Sequence, residues 1–193
     1  MKKSIITLLS ISIAIFNACA QEKHNSNQKE TPAVKTDAVA KSGTADKNSS
    51  STINEIVEHY LHLKNALIAD NAKEAASAGK AMVVAMGKVD KSSLTGEQKT
   101  IYADVEDDAK EHAEHISENA GDISHQREHF DILSKDIYDL VKVFGSTQTL
   151  YKDYCPMYNN NKGAIWLSET KAIKNPYYGK KMLSCGAVKE EIK

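Results

Sequence analysis

The one extended apolar run in this 193-residue chain, Ile5 to Phe16, is about a dozen residues long and too short to cross a bilayer as a helix. Charge of one sign is also missing, since 25 Lys and Arg face 26 Asp and Glu for a formal net charge of −1. No basic stripe with interleaved aromatics occurs, which excludes a nucleic-acid surface. Nor is there a nucleophile elbow, a phosphate loop, a Cys-His-Asn/Asp spacing or a Cys-x-x-Cys-His haem site, and the chain is not expected to be an enzyme. Residues 20–50 contain no aromatic, Leu or Ile. Such a segment cannot bury enough apolar area to offset its ordering entropy, so it reads as a disordered linker. About thirty flexible residues would span roughly 30 Å between their ends.

What is present begins with an export signal. Met1-Lys2-Lys3 precedes the apolar run, which ends in Asn17-Ala18-Cys19-Ala20. A basic start, a short apolar core and a small residue before a cysteine resemble a bacterial lipoprotein signal, with residues 1–19 as the signal region and Cys19 as the lipidation site. Lipid at that sulfur would anchor the protein to a membrane of the cell envelope, periplasm-facing or outer. An ordinary signal peptide cut near the same place is the other reading, and both carry the chain out of the cytoplasm.

Residues 51–193 are enough for one domain with a core. Apolar residues recur at helical spacing in four segments. Ile53, Ile56, Val57, Tyr60, Leu63 and Leu67 line the first, and Ala75, Gly79, Met82, Val83 and Met86 the second. Thr95 followed by Gln98 has the form of a capping box and opens the third, which carries Val105, Ala109, His112 and Ile116. Gly121-Asp122 is a stop-and-cap pair before the fourth, with Ile123, Phe130, Ile137, Val141 and Phe144, and Gly145 ends it. The expected fold class is all-α: an antiparallel four-helix bundle with an irregular, aromatic-rich C-terminal segment packed on it. Short helical pieces are expected in that segment near 164–172 and 179–190.

The segment also holds the other two cysteines. Tyr154-Cys155-Pro156-Met157 and Met182-Leu183-Ser184-Cys185 each pair a thiol with a thioether two or three residues away. Two thiols and two thioethers form a soft donor set suited to Cu(I). A turn at Pro156 would aim Cys155 and Met157 at one point, and Met182 and Cys185 would share a face of a helical piece. In an oxidising compartment the same cysteines also suit a Cys155–Cys185 disulfide. Among the histidines, His112 and His115 are three apart, and His125 and His129 four apart, which is metal-ligand spacing. Most read as solvated or capping residues, with His129 expected to reach the sulfur site. Met82 and Met86 read as core packing, and His59 and His62 as surface residues. Gln126 is expected to bond tail backbone, and Arg127 to stack on a tail tyrosine or pair with an acid.

The order Gln126-Arg127, Phe130, Leu133-Ser134, Tyr154-Cys155-Pro156-Met157, Gly163, Trp166-Leu167, Ile173, Asn175-Pro176-Tyr177-Tyr178-Gly179, Met182-Leu183, Cys185-Gly186 resembles the DUF3347 domain. That domain occurs in exported bacterial proteins and is similar to regions appended to copper/silver efflux membrane-fusion proteins. Cys-Pro-Met further resembles a short heavy-metal-binding module with a Tyr-x-Cys-Pro-Met-His-Pro core. Here Tyr158-Asn159 replaces its His-Pro, so that module's His ligand has no counterpart. The resemblance implies a metal-handling context. The expected function is an extracytoplasmic, lipid-anchored copper-binding protein that buffers ions or delivers them to an efflux component. Its ligands would come from Cys155, Met157, Met182, Cys185 and His129. The alternative is an envelope interaction module whose tail is stapled by the disulfide.

Overall fold

The computed structural model describes residues 45–193, with side chains from Ser51 onward. The signal, Cys19 and the linker up to residue 44 lie outside the described residues. Helix α1 spans Ala45–Ile68, so helix begins at 45 rather than at the linker boundary expected at 51. Helices α2 (Ala72–Met86), α3 (Gly96–Glu118) and α4 (Ile123–Phe144) follow.

Their starts are set by side-chain caps that satisfy amides with no partner in the first turn. The Asn71 side chain accepts from the Glu74 amide, and Asp122 accepts from Ser124 and His125. At α3 the capping box is reciprocal: Gln98 N–H donates to Thr95 Oγ1, while the Gln98 carbonyl accepts from the Thr95 amide at 3.0 Å.

The helices pack in sequence order as a helical bundle, α1 on α2, α2 on α3 and α3 on α4, and α1 also meets α4. Ile53, Ile56, Tyr60, Leu63 and Leu67 of α1 are each no more than 1% exposed, as their spacing predicts. Gly79 sets the approach of α2 to α3, because a Cβ there would come within 2.9 Å of the Ala113 carbonyl. Among the described residues no helix is long and apolar enough to cross a membrane.

The tail corrects the all-α expectation. It forms a three-stranded antiparallel sheet from β1 (Leu150–Cys155), β2 (Ala164–Ser168) and β3 (Ala187–Ile192), in the order β2-β1-β3. Of the helical pieces expected near 164–172 and 179–190, 164–168 and 187–190 are strand, one 3-10 turn stands at Gly179–Lys181, and the rest is turn or irregular chain. The physical reason is tertiary. A five-residue apolar run such as Ala164-Ile165-Trp166-Leu167-Ser168 suits either element by local pattern, and pairing along β1 decides it. The link from β1 to β2 turns through Asn159, Asn160 and Asn161, all at positive φ, where asparagine is better tolerated than most side chains.

Sheet and helices share one hydrophobic core, in which Trp166, Leu150 and Tyr177 join Phe130, Leu133 and Ile137. A hydrogen-bond chain ties them. Leu167 N–H of β2 donates to Tyr60 Oη of α1 at 3.0 Å. Tyr60 stands 2.9 Å from Ser134 Oγ of α4, and that hydroxyl donates to the Phe130 carbonyl at 2.7 Å. Because Ser134 gives its proton to Phe130, Tyr60 is the donor to Ser134. Tyr60→Phe leaves the buried Leu167 amide without this partner and is expected to cost about 1–3 kcal/mol in urea unfolding. A loss below about 0.5 kcal/mol would show that the chain adds nothing to the docking of the sheet.

Candidate functional site

The sheet explains why the two cysteines meet. Cys155 is the last residue of β1 and pairs with Ala164. Cys185 lies two residues before β3, whose Ala187 pairs with Tyr154. Both therefore fall at one end of neighbouring strands, and their sulfurs are 3.0 Å apart, both free. Cys155 is fully buried, whereas Cys185 is partly exposed. Hydrogen bonding to Cys155, together with burial, pushes the Cys185 thiol up to about 11, so it is protonated at neutral pH. A metal ion or an oxidant would have to displace that proton.

Asn175 fixes the loop that presents Cys185. It is wholly buried; its side-chain carbonyl accepts from the Tyr177 and Tyr178 amides at 2.8 and 3.2 Å, and its side-chain amide donates to the Cys185 carbonyl at 2.7 Å. Its own backbone amide donates to Leu183 O at 2.8 Å. Asn-Pro is a turn-initiating pair in sequence, but no local pattern marks it as a clasp on Cys185.

The methionines take different positions. Cys185 N–H donates to the Met182 carbonyl at 3.1 Å, so these residues share a turn and not the helical face expected of them. Met182 is partly exposed. Pro156 and Met157 do form a turn, but the Met157 side chain is 48% exposed, and its carbonyl accepts the Tyr178 hydroxyl.

His129 is not brought to the sulfurs. On α4 it faces α3, with its Nδ1 2.8 Å from His112 Nδ1 and its Nε2 3.1 Å from His125 Nε2. Its ring stacks on His115 at 4.4 Å. The tail packs on other positions of α4, through Phe130 and Arg127, so the helical phase separates His129 from it. His59 is partly exposed and His62 exposed, and they stand near Glu55 and Glu74 respectively.

Gln126 departs from expectation, whereas Arg127 pairs with an acid, Asp70, as expected. Gln126 is fully buried and donates to the carbonyls of Ala72 and Ile116, tying three helices rather than the tail. Arg127 does hold the tail, through Nε to the Pro176 carbonyl at 2.7 Å, and it also grips the Leu67 carbonyl and Asp70. Gly179 sits against that pair at φ +54, and a Cβ there would fall 2.1 Å from Asp70 Oδ1.

No curated protein and no solved structure matches the chain. Residues 56–149 match the DUF3347 family model, described as a protein of unknown function. That span runs from α1 through α4 and stops short of the strand that carries Cys155. Residues 56–149, the helical region, are thus a DUF3347 domain.

Proposed function

We propose that this protein binds a heavy-metal ion outside the cytoplasm, copper above all, and buffers it or hands it to efflux machinery from a lipid anchor at Cys19. The scaffold is an antiparallel four-helix bundle that holds the C-terminal sheet. The observation that carries the reading is the meeting of two free thiols, 30 residues apart in sequence, at one rim of the sheet. Cys155 supplies a buried, rigid sulfur from a strand end, and Cys185 a partly exposed one from a loop. Met182, in the same turn as Cys185, is the thioether best placed to join them, and Met157 would have to fold inward.

The same distance favours a second reading. Two sulfurs bound to one ion at about 2.3 Å each in tetrahedral geometry stand about 3.8 Å apart, whereas a disulfide bond is about 2.05 Å. At 3.0 Å the pair lies between the two, so a modest side-chain rotation in either direction reaches one of them. Reduced protein would bind the ion. Oxidised protein would instead be a stapled interaction module, with its 30-residue loop adding roughly 3 kcal/mol of stability.

Cu(I) titration of the reduced full chain against a chromogenic chelator tests the first reading. One ion per chain is expected, with affinity falling about 100-fold or more in Cys155→Ser. Unchanged affinity in that variant, or no uptake by the reduced parent, would sink it. Thiol counting on protein recovered from the cell envelope tests the second, which requires no free thiol before reductant is added.

A further inference from the structure

We propose that His115, His125 and His129, backed by His112, form a separate metal site for a borderline divalent cation of the zinc class. It shares no residue with the thiol pair, and it does not rest on copper binding there. Ligand atoms of the three imidazoles all lie within 4.8 Å of one another. His115 comes from the last turn of α3, and His125 and His129 from the first two turns of α4. The short Gly121-Asp122 connection folds these turns together.

The spacing is close to what a metal needs. Two nitrogens bound to one zinc ion at about 2.0–2.1 Å in tetrahedral geometry stand about 3.3 Å apart. His125 Nε2 and His129 Nε2 are 3.1 Å apart, so the pair needs far less movement than the thiols do. Neutral imidazole suits zinc and its neighbours, whereas soft sulfur selects Cu(I).

The hydrogen-bond network sets the tautomer that ligation through His129 requires. Asp108 Oδ1 lies 3.4 Å from His112 Nε2, and its charge favours the tautomer with the His112 proton on that nitrogen. His112 Nδ1 then accepts from His129 Nδ1–H at 2.8 Å, and the lone pair of His129 is left on Nε2, facing His125. A ligating histidine whose second N–H is held by a partner is the usual arrangement of metal sites. Glu128 stands 3.7 Å from His125 Nδ1, the nitrogen that does not face His129, and Glu111 stands 3.8 Å from His115 Nε2. His129 is half-buried among the rings of His112, His115 and His125. An apolar residue would pack in its place without any such network. The side chains of His115 and His125 are 43% and 37% exposed, which opens the site to solvent and leaves a coordination position for water.

Zinc titration by calorimetry at neutral pH decides the matter, using the full chain with Cys19→Ser, Cys155→Ser and Cys185→Ser so that no thiol competes. One Zn²⁺ per chain is expected. His129→Ala should weaken binding about 100-fold or more, and so should His125→Ala, whose exposed position leaves the fold untouched by circular dichroism. His112→Ala should cost about 10–100-fold as a positioning change. His112→Asn, whose carbonyl can accept the His129 proton, should recover most of that loss. The proposal fails if the parent takes up no zinc at sub-millimolar concentration, or if His125→Ala and His129→Ala bind as the parent does. It fails equally if zinc binds the natural chain but not the thiol-free one.

Discussion

Replacing Trp166 with alanine is expected to destabilise the protein by about 3–5 kcal/mol and to do so for helices and sheet together. The indole is fully buried in β2, meets the Tyr177 ring edge-on at 6.0 Å, and lies so close to Gly186 that a Cβ there would stand 2.7 Å from it. Tyr177 in turn packs on Phe130 of α4. Alanine would leave a cavity at the joint between sheet and bundle, and the surrounding strands cannot collapse into it without breaking the pairing of Trp166 with Asp153. For a domain of this size each kcal/mol lowers the melting temperature by about 2–4 °C. Far-UV circular dichroism on heating should therefore show a single transition, about 6–20 °C lower than in the parent. If instead the helices kept their midpoint while a small early transition appeared, the sheet would be a separable unit, and the single shared core would be the wrong description.

How much of this was legible in sequence differs by element. The four helices are visible because their apolar residues recur every three to four positions, and because Thr95, Gln98 and Asp122 announce the starts of α3 and α4. The strands escaped for particular reasons. In β1 the inward positions are Leu150, Asp153 and Cys155, so a charged residue and an irregularity in register at Lys152/Asp153 hide the alternation. In β3, Ala187–Ile192 is an edge strand whose only buried residue is Ile192, and it reads as polar chain. The thiol pair was legible as chemistry, but its geometry was not, because strand pairing and not a local turn brings Cys185 to Cys155. The histidine spacing was visible too. That four rings would converge depended on the relative phase of α3 and α4, which no single-helix pattern contains.

Asp153→Asn is expected to make the protein more stable at pH 8 but not at pH 4. Asp153 is fully buried, and neither carboxylate oxygen has a hydrogen-bond partner. Burial pushes its carboxyl up to about 7, with the Lys64 ammonium pulling weakly the other way. Lys64 itself is engaged by Glu169 at 2.5 Å. In the unfolded chain the group returns to an ordinary aspartate value near 3.9. Between those two values the folded protein holds a proton that the unfolded chain has lost. Stability from this group is therefore full below about pH 4, falls at up to about 1.4 kcal/mol per pH unit as pH rises, and levels off above the folded value. The total is on the order of 4 kcal/mol, a large fraction of what a domain of this size possesses. Asparagine carries no such proton, so the variant's advantage should grow from pH 4 to pH 7 and then stay constant. Urea unfolding at pH 4, 6 and 8 reads the difference directly. A gap between variant and parent that does not change with pH would mean that Asp153 keeps its charge in the folded protein, with Lys64 as its effective partner.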